Sequence, residues 1–173
     1  MDLEGLRERI RDIPDFPKPG VVFKDITPVL ADPIAFSFLV DQLAQPFRSA
    51  GVTHVVGIEA RGFIVATPVA ERLGAGFIPV RKAGKLPWQT AQVEYALEYG
   101  TDKLEVHRDA VGPKDRVLIV DDVLATGGTA AATVELIGSL GADIVGCSFL
   151  IELAFLEGRT RLTGQHVESL LTY

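Results

Sequence analysis

The sequence of 173 residues has little of what disulfide frameworks and metal centres are built from. Its one cysteine, Cys147, cannot form an intramolecular disulfide or a thiolate zinc cluster, which suits a reducing cytoplasm. The three histidines lie far apart, and neither HExxH nor a similarly close ligand spacing occurs. We therefore expect a site built from other residue types than histidine and cysteine.

Long apolar runs and a basic leader are also missing. No run approaches the roughly 18 apolar residues of a membrane span, and the N-terminus carries acids at Asp2 and Glu4 where a signal peptide is basic. We expect a cytoplasmic protein that does not attach to membranes. The net charge of −6, from 17 basic and 23 acidic residues, also argues against nucleic acid as a partner.

What is present indicates one folded domain spanning residues 1–173. The hydrophobic fraction of 47% excludes intrinsic disorder, and the length is that of one ordinary domain. Predicted strands alternate with predicted helices, the strands at 52–58, 76–80, 116–120 and 144–150 and the helices at 63–73 and 129–140. Because the strands are apolar on both faces, the pattern predicts an α/β fold with a parallel twisted sheet flanked by helices.

Three further segments carry their own patterns. Apolar residues at helical spacing predict a short helix over 2–13, and a second helix is predicted over 33–50. Apolar and polar residues alternate over 94–108, which predicts a β-hairpin with a turn near 100–102. Glutamates four residues apart in the first half of this segment would also suit a helix.

The most informative stretch is VLIVDDVLATGGT at residues 117–129. Four apolar residues form a buried strand that ends in two carboxylates, Asp121 and Asp122. In sheets of this class ligands bind at the carboxyl ends of the strands, so both acids are expected at a binding site. Two carboxylates suit the hydroxyls of a ribose.

The second half of this stretch predicts an anion cradle. Its glycines allow close approach of the backbone, the first amides of the helix are free to donate, and the threonines add hydroxyl donors. The residues concerned are Ala125, Thr126, Gly127, Gly128 and Thr129. Neither GxxxxGK[ST] nor GxGxxG occurs, so the stretch predicts a site for a ribose 5-phosphate and not for a triphosphate or a dinucleotide.

The stretch resembles the phosphoribosyl diphosphate (PRPP) signature of the type I phosphoribosyltransferases. Further segments are similar to the adenine phosphoribosyltransferases in order and spacing, namely FPKPGVVFKDIT at 16–27, EARGF at 59–63, RKAGKLP at 81–87 and LEYG at 97–100. The resemblance covers nearly the whole chain. It implies the type I fold, with a small hood formed by the N-terminal segment of about 1–32 and an insert made of the hairpin and a flexible loop.

The resemblance assigns the diphosphate to two basic segments. Arg61 follows a strand end, where a guanidinium can grip a diphosphate oxygen, and Gly62 leaves room beside it. Arg81, Lys82 and Lys85 lie in a glycine-containing loop that can close over the diphosphate and offset charge as it leaves. The alternative for these residues is a surface salt bridge or a solvated basic loop.

Glu98 is implied to be the acid/base residue that handles a proton on the purine ring, because adenine must lose a proton as its ring nitrogen bonds to the sugar. By pattern alone Glu98 would be a solvated carboxylate on the hairpin. Leu97 and Tyr99 are implied to close the base site. Which purine nitrogen Glu98 addresses stays open.

Val22, Phe23 and Lys24 are implied to bind adenine. Phe23 offers a ring face for stacking, and backbone groups of Val22 and Lys24 can read the edge of the base. The alternative for Phe23 is a core side chain. Some relatives have arginine at position 24, a change that is tolerable if the backbone makes the contact.

The resemblance implies that adenine and PRPP react to give AMP and diphosphate in purine salvage. It implies Mg²⁺ as the cofactor, held mainly through PRPP, and a homodimer as the assembly. The alternatives are a phosphoribosyltransferase for xanthine or guanine and a non-catalytic PRPP-sensing regulator of the same fold.

Overall fold

The computed structural model describes residues 1–97 and 100–173. Within them the chain forms a seven-stranded sheet in the order β5-β6-β4-β3-β7-β8-β9 and a two-stranded sheet of β1 and β2. The strands are β1 (Arg11–Pro14), β2 (Val22–Asp25), β3 (His54–Ile58), β4 (Gly76–Lys82), β5 (Thr90–Ala96), β6 (Thr101–His107), β7 (Arg116–Leu124), β8 (Asp143–Glu152) and β9 (Val167–Thr172). Strands β4, β3, β7, β8 and β9 run parallel, whereas β5 and β6 pair antiparallel.

Helices cover both faces of the large sheet. They are α1 (Leu3–Arg7), α2 (Thr27–Ala31), α3 (Pro33–Ala44), α4 (Arg61–Leu73) and α5 (Gly128–Ser139), with short 3₁₀ segments at Gln45–Phe47, Ala154–Leu156 and Gly158–Leu162. No helix within the described part of the chain is both long and apolar enough to cross a membrane.

The central strands divide the core between these two helical layers. On β7, Leu118 and Val120 belong to the cluster that contains α3 and α4, whereas Val117 and Ile119 belong to the cluster that contains α5. The prediction of a parallel sheet with strands buried on both faces is therefore confirmed. The single thiol, Cys147 on β8, lies within this core, and burial raises its pKa to about 12.

The helix predicted over 2–13 is wrong beyond Arg7. Residues Arg11–Pro14 form β1, which pairs with β2 from Arg11 opposite Asp25 to Pro14 opposite Val22. The pairing with β2 outweighs the helical spacing of the four apolar residues, and Pro14 could not have continued a helix. The strand β2 and the last strand, β9, were not predicted.

The helix predicted over 33–50 ends early. Asp32 caps α3 by accepting hydrogen bonds from the amides of Ile34 and Ala35, at 2.9 and 3.2 Å. The α-helix stops at Ala44 because Pro46 lacks the amide that the next turn requires, and the chain continues as a 3₁₀ turn.

The hairpin predicted over 94–108 is confirmed, although it is longer at its start. Strands β5 and β6 pair from Thr90 opposite His107 to Ala96 opposite Thr101. Residues 101 and 102 belong to β6 and not to the turn. The pairing shows that the start of this segment is a strand and not the helix that its two glutamates would also have suited.

Candidate active site

A cleft of about 460 Å³ opens at the carboxyl ends of β3 and β7, which are neighbours in the sheet. Its walls come from the start of α4, the end of β7 and the loop into α5. The lining residues include Glu59, Arg61, Asp121, Asp122 and the segment 125–129. Residues that lie up to 70 positions apart in the sequence thus meet because parallel strands end at the same edge of the sheet.

Asp121 and Asp122 lie near the end of β7, and their carboxyl groups have different surroundings. The Asp121 carboxylate accepts a hydrogen bond from the Asp122 amide, at 2.9 Å. Burial, together with the neighbouring Asp122 charge, raises the pKa of Asp121 well above its usual range. A second negative charge beside Asp122 is therefore disfavoured in the free site, and a ligand that donates hydrogen bonds to these oxygens, such as a sugar hydroxyl, would stabilise it.

The loop after β7 leads into α5 without a side-chain cap. Gly127 takes a left-handed conformation, with φ of 78°, and no described side chain accepts a hydrogen bond from the first amides of α5. Unpaired amides and the positive end of the helix dipole face the cleft, an arrangement that binds phosphate. The hydroxyl groups of Thr126 and Thr129 belong to the same loop and helix start.

A second glycine makes this loop possible. A side chain on Gly158 would overlap the carbonyl oxygen of Ala125 and lie 2.8 Å from the amide nitrogen of Gly127. The segment Gly158–Leu162 therefore packs directly beneath the loop and supports it. Sequence reasoning did not identify Gly158, because its role depends on contacts with Ala125 and Gly127, which lie far from it in the sequence.

Arg61, at the start of α4, contacts both Asp122 on β7 and Phe23 on β2. Its Nε lies 2.8 Å from Oδ2 of Asp122, and its guanidinium lies over the ring of Phe23, 4.9 Å from the ring centre. Gly62 follows it in the first turn of α4, where a side chain would meet Oδ1 of Asp121 at 2.6 Å. The missing side chain of Gly62 thus leaves room for Asp121.

The basic segment, residues 81–85, meets Glu59 at the edge of the cleft. Arg81 Nε and Lys85 Nζ donate to the Glu59 carboxylate, at 3.1 and 2.6 Å. Lys82 points elsewhere: its ammonium pairs with Asp102 on β6, at 3.1 Å, and this hydrogen bond raises the pKa of Lys82. The structure thus brings Arg81 and Lys85 together and separates Lys82 from them.

The predicted base-binding residues lie on β2. Phe23 packs edge-on against Phe16, with 5.3 Å between ring centres, and presents its ring to Arg61. Val22 is half exposed. The side chain of Lys24 is already occupied, since its ammonium donates to Asp12, at 2.6 Å, and lies 3.9 Å from the ring centre of Tyr173. A contact between Lys24 and a base is therefore left to its backbone.

The end of β5 reaches the loop after β7. The carbonyl oxygen of Ala96 lies 3.8 Å from the position that a side chain on Gly128 would take. Leu97, the next residue, is exposed, and its amide donates to the carbonyl of Gly100, at 2.9 Å. Glu98 and Tyr99, to which the base-side roles were also assigned, lie outside the described residues.

Glu59 is a charged residue of the cleft for which the sequence predicted no role. It stands in the EARGF segment that carried part of the resemblance, directly after a predicted strand. That position, two residues before Arg61, is the signal that could have identified it.

Comparison with known proteins agrees with this geometry. A sequence profile of the phosphoribosyl transferase domain matches residues 32–161. The adenine phosphoribosyltransferase of Acidothermus cellulolyticus is 64% identical over 168 residues, covering 97% of this chain and 95% of that protein. That of Nitrosococcus oceani is 57% identical over 171 residues, covering 99% and 100%.

Solved structures agree as well. The crystal structure of the Rhodothermus marinus adenine phosphoribosyltransferase superposes with a TM-score of 0.95 at 54% identity, covering 99% of this chain and 98% of that one. The Saccharomyces cerevisiae enzyme, crystallised with an imino-altritol bisphosphate and adenine, superposes with a TM-score of 0.92 at 38% identity, covering 97% of both chains. With a cleft built as described, and with relatives of this identity and coverage, the chain belongs to the adenine phosphoribosyltransferase family.

Proposed function

We propose that this protein transfers the 5-phosphoribosyl group of PRPP to adenine, giving AMP and diphosphate in purine salvage. The observation that carries the proposal is the arrangement of Arg61, the Asp121–Asp122 pair and the uncapped start of α5 around one cleft. These groups match the diphosphate, the ribose hydroxyls and the 5-phosphate of one substrate. The relatives named above carry the activity in their names.

The ribose 5-phosphate lies between the two acids and the α5 cradle. The 5-phosphate accepts hydrogen bonds from the amides of residues 125–129 and from the threonine hydroxyls. The ribose hydroxyls donate to Asp121 and Asp122. Fixing the sugar at both ends holds its anomeric carbon between the base and the leaving group. The domain spans residues 1–173, with residues 1–32 as the hood over the base.

The diphosphate lies on the side of Arg61, Gly62 and the basic segment. As the bond between C1′ and the diphosphate oxygen breaks, the electron pair leaves with the diphosphate. Arg61, Arg81, Lys82 and Lys85 offset that charge. The sugar carries oxocarbenium-like charge until a purine nitrogen bonds to C1′.

Adenine binds between Phe23 and the hairpin. The ring of Phe23 stacks on the base, and the backbone at Val22 and Lys24 reads its edge. Leu97 and Tyr99 close the other side. Glu98 accepts the proton that the purine gives up as the new bond forms, a role that rests on the family resemblance.

Mg²⁺ fits the donor chemistry of the cleft. Asp121 and Asp122 offer the hard oxygen ligands that Mg²⁺ prefers. The buried Asp122 Oδ2 pairs with the Arg61 guanidinium at 2.8 Å but accepts no well-aligned hydrogen bond from a described residue, so it keeps lone pairs for a further partner. Within residues 1–97 and 100–173 no three acidic, histidine or cysteine side chains group as a metal site. The ion would accordingly be held mainly through PRPP, with Asp121 and Asp122 as the protein groups nearest to it in chemistry. When bound, Mg²⁺ offsets negative charge on the diphosphate.

We also propose a homodimer that works in the cytoplasm. Large apolar side chains are exposed on the helices of one face, Ile34 at 67% and Ile64 at 45%, and a second copy of the chain would cover them. A single buried thiol needs no oxidising compartment. Light scattering on the purified protein tests the assembly, and we expect twice the chain mass of 18.6 kDa.

A panel of bases tests the activity. The purified protein is incubated with PRPP, Mg²⁺ and adenine, guanine, hypoxanthine or xanthine, and diphosphate release is followed. We expect turnover with adenine alone. Turnover with guanine or xanthine but not adenine would overturn the base assignment, and PRPP binding without turnover of any base would indicate a sensor.

A further inference from the structure

The Glu59 carboxylate is the centre of a hydrogen-bond cluster that the proposed chemistry does not use. It is almost buried, with 9% of the side chain exposed. It accepts hydrogen bonds from Lys85 Nζ at 2.6 Å, from Arg81 Nε at 3.1 Å and from the Lys82 amide at 3.1 Å. All three donors come from the basic segment.

The charge balance of the cluster keeps Glu59 ionised. Burial favours the neutral carboxyl, but the donations from Lys85, the Lys82 amide and Arg81 outweigh it, so the pKa of Glu59 is lowered. Arg81 Nη1 also donates to the carbonyl of Lys85, at 3.3 Å, which links the two cationic residues to each other. One carboxylate thus fixes both ends of the segment.

A second carboxylate holds the middle of the segment. Glu105 on β6 is buried, and it accepts a hydrogen bond from the Gly84 amide at 3.1 Å. The backbone of residues 82–84 is therefore fastened to two acids. Among the described residues, however, Glu59 is the acid whose carboxylate contacts the charged ends of Arg81 and Lys85.

Glu59 fixes these cations without hiding them. The side chains of Arg81 and Lys85 remain 33% and 49% exposed, so both can still contact an anion. Arg81 faces Glu59 through Nε, which leaves Nη2 for another partner. Glu59 lies two residues before Arg61, so both cations are held at the Arg61 side of the cleft.

We infer that Glu59 is a positioning residue for the diphosphate, acting through Arg81 and Lys85. It does not touch the substrate; its carboxylate sets the place and orientation of two cations that do. The inference rests on the proposed function, because it takes Arg81 and Lys85 to bind the diphosphate. Without Glu59 both side chains must be ordered by the substrate itself, at a cost in rotamer entropy.

The first test is Glu59→Gln, which keeps the shape and removes the charge. We expect the KM for PRPP and the inhibition constant of diphosphate to rise about 10-fold, the loss of roughly one charged hydrogen bond. The KM for adenine and kcat are expected to stay within about 3-fold of the wild type. Neither depends on whether the basic segment is ordered before the substrate binds. Asp143→Asn is the control, because it removes a carboxylate that pairs with Arg116 at 2.6 Å. These two residues begin β8 and β7, at the ends of the strands away from the cleft.

A double-mutant cycle separates positioning from support of the fold. If Glu59 acts through the two cations, adding Glu59→Gln to the Arg81→Gln/Lys85→Gln variant changes the KM for PRPP less than about 2-fold further. Independent, multiplying effects would overturn the inference. So would tighter diphosphate binding in Glu59→Gln, which would show that Glu59 competes with the substrate for the cations.

Two further variants keep the test decisive. Should Glu59→Gln fail to fold, Glu59→Asp retains the charge on a shorter side chain, and we expect a several-fold higher KM for PRPP; a wild-type KM would contradict the role. If Arg81→Gln and Lys85→Gln leave the KM for PRPP unchanged, the diphosphate assignment of the proposed function fails. If they raise it and Glu59→Gln does not, only the positioning role fails.

Discussion

At the scale of single residues, the cleft holds two neighbouring acids that destabilise each other and backbone amides that a bound ligand could pair with. Asp121 and Asp122 are adjacent carboxylates at the edge of a dry core, and Arg61 is the cation that contacts Asp122. Such an arrangement lowers the stability of the free protein and is offset when a substrate binds. The variants that follow separate these two effects.

Asp121→Asn tests the cost of the paired acids. Because the pKa of Asp121 is raised, the folded protein holds this proton at pH values where the unfolded chain releases it, so stability falls as pH rises above the ordinary value of 3.8. The amide removes this loss. We expect an unfolding midpoint above that of the wild type at pH 7, by roughly 2–4 °C for each kcal/mol regained, and a higher KM for PRPP.

Thermal unfolding followed between pH 4 and pH 8 checks this prediction, together with PRPP titrations. The difference in midpoint is expected to shrink toward pH 4, because the unfolded chain begins to bind the Asp121 proton as the pH approaches 3.8. A variant that is less stable than the wild type at pH 7 would show that Asp121 is stabilised by its surroundings.

Glu98→Gln tests the proton acceptor. An amide cannot take the purine proton, so we expect kcat to fall by about 10²-fold or more, with the KM for PRPP within a few-fold of the wild type. Steady-state kinetics with adenine measure both. Glu94→Gln is the matched control, because Glu94, four residues earlier in the sequence, is exposed on β5 and pairs with Lys103 at 3.3 Å. An unchanged kcat in Glu98→Gln would mean that the proton leaves by another route.

At the scale of secondary structure, the sequence predicted the elements whose own residues determine them. The strands and helices from β3 to β8 follow from apolar runs, glycine stops and the loop after β7. The segment at β1 was predicted to be helical because its apolar residues recur at helical spacing, and that spacing gives no sign of the pairing with β2. The same reason explains the two omissions at the cleft: Glu59 and Gly158 act through residues distant in sequence.

Gly158→Ala tests the support of the loop after β7. The added methyl group would overlap the Ala125 carbonyl, so the loop or the segment Gly158–Leu162 must move. We expect a loss of about 1–3 kcal/mol in the free energy of unfolding and a higher KM for PRPP, because the amides of the cradle shift. Chemical denaturation and steady-state kinetics measure the two effects.

Gly138→Ala provides the matched control. Gly138 is exposed near the end of α5, and a side chain there would meet nothing within 4 Å. Alanine favours the helix by about 0.5–1 kcal/mol over glycine, so stability is expected to hold or rise with PRPP kinetics unchanged. Equal losses in both variants would show that the contact between Gly158 and Ala125 is not what matters.

At the scale of the whole molecule, the two ends of the chain meet. The ring of Tyr173, the last residue, lies between the guanidinium of Arg7, at 4.7 Å, and the ammonium of Lys24, at 3.9 Å. The first helix and β2 are thereby attached to the end of β9. Phe23 lies on β2, next to Lys24, so we expect this joint to help position its ring over the cleft.

Tyr173→Ala tests whether the joint positions the base site. Loss of two cation–π contacts, each about 0.5–2 kcal/mol, is expected to raise the KM for adenine several-fold, with a smaller effect on the KM for PRPP. Tyr173→Phe keeps the ring and is expected to behave as the wild type. If both variants match the wild type, β2 is held by its other contacts.

Charge is also organised at this scale. The net charge of −6 argues against large polyanions, yet no acid occurs between Arg72 and Val93. The fold supplies the missing negative charge from other elements, since Glu59, Asp102 and Glu105 contact the basic segment. A small phosphorylated ligand thus meets cations whose positions are set by these acids, an arrangement that the overall composition does not reveal.

The buried thiol described above makes the natural chain a ready background for spectroscopy. Cys147 is the single cysteine, and with a pKa of about 12 it forms almost no thiolate at neutral pH. Maleimide dyes and nitroxide spin labels would therefore leave the native protein unmodified. A cysteine introduced at Ala83 would take one label at the basic segment and report its motion during turnover, without prior removal of other cysteines.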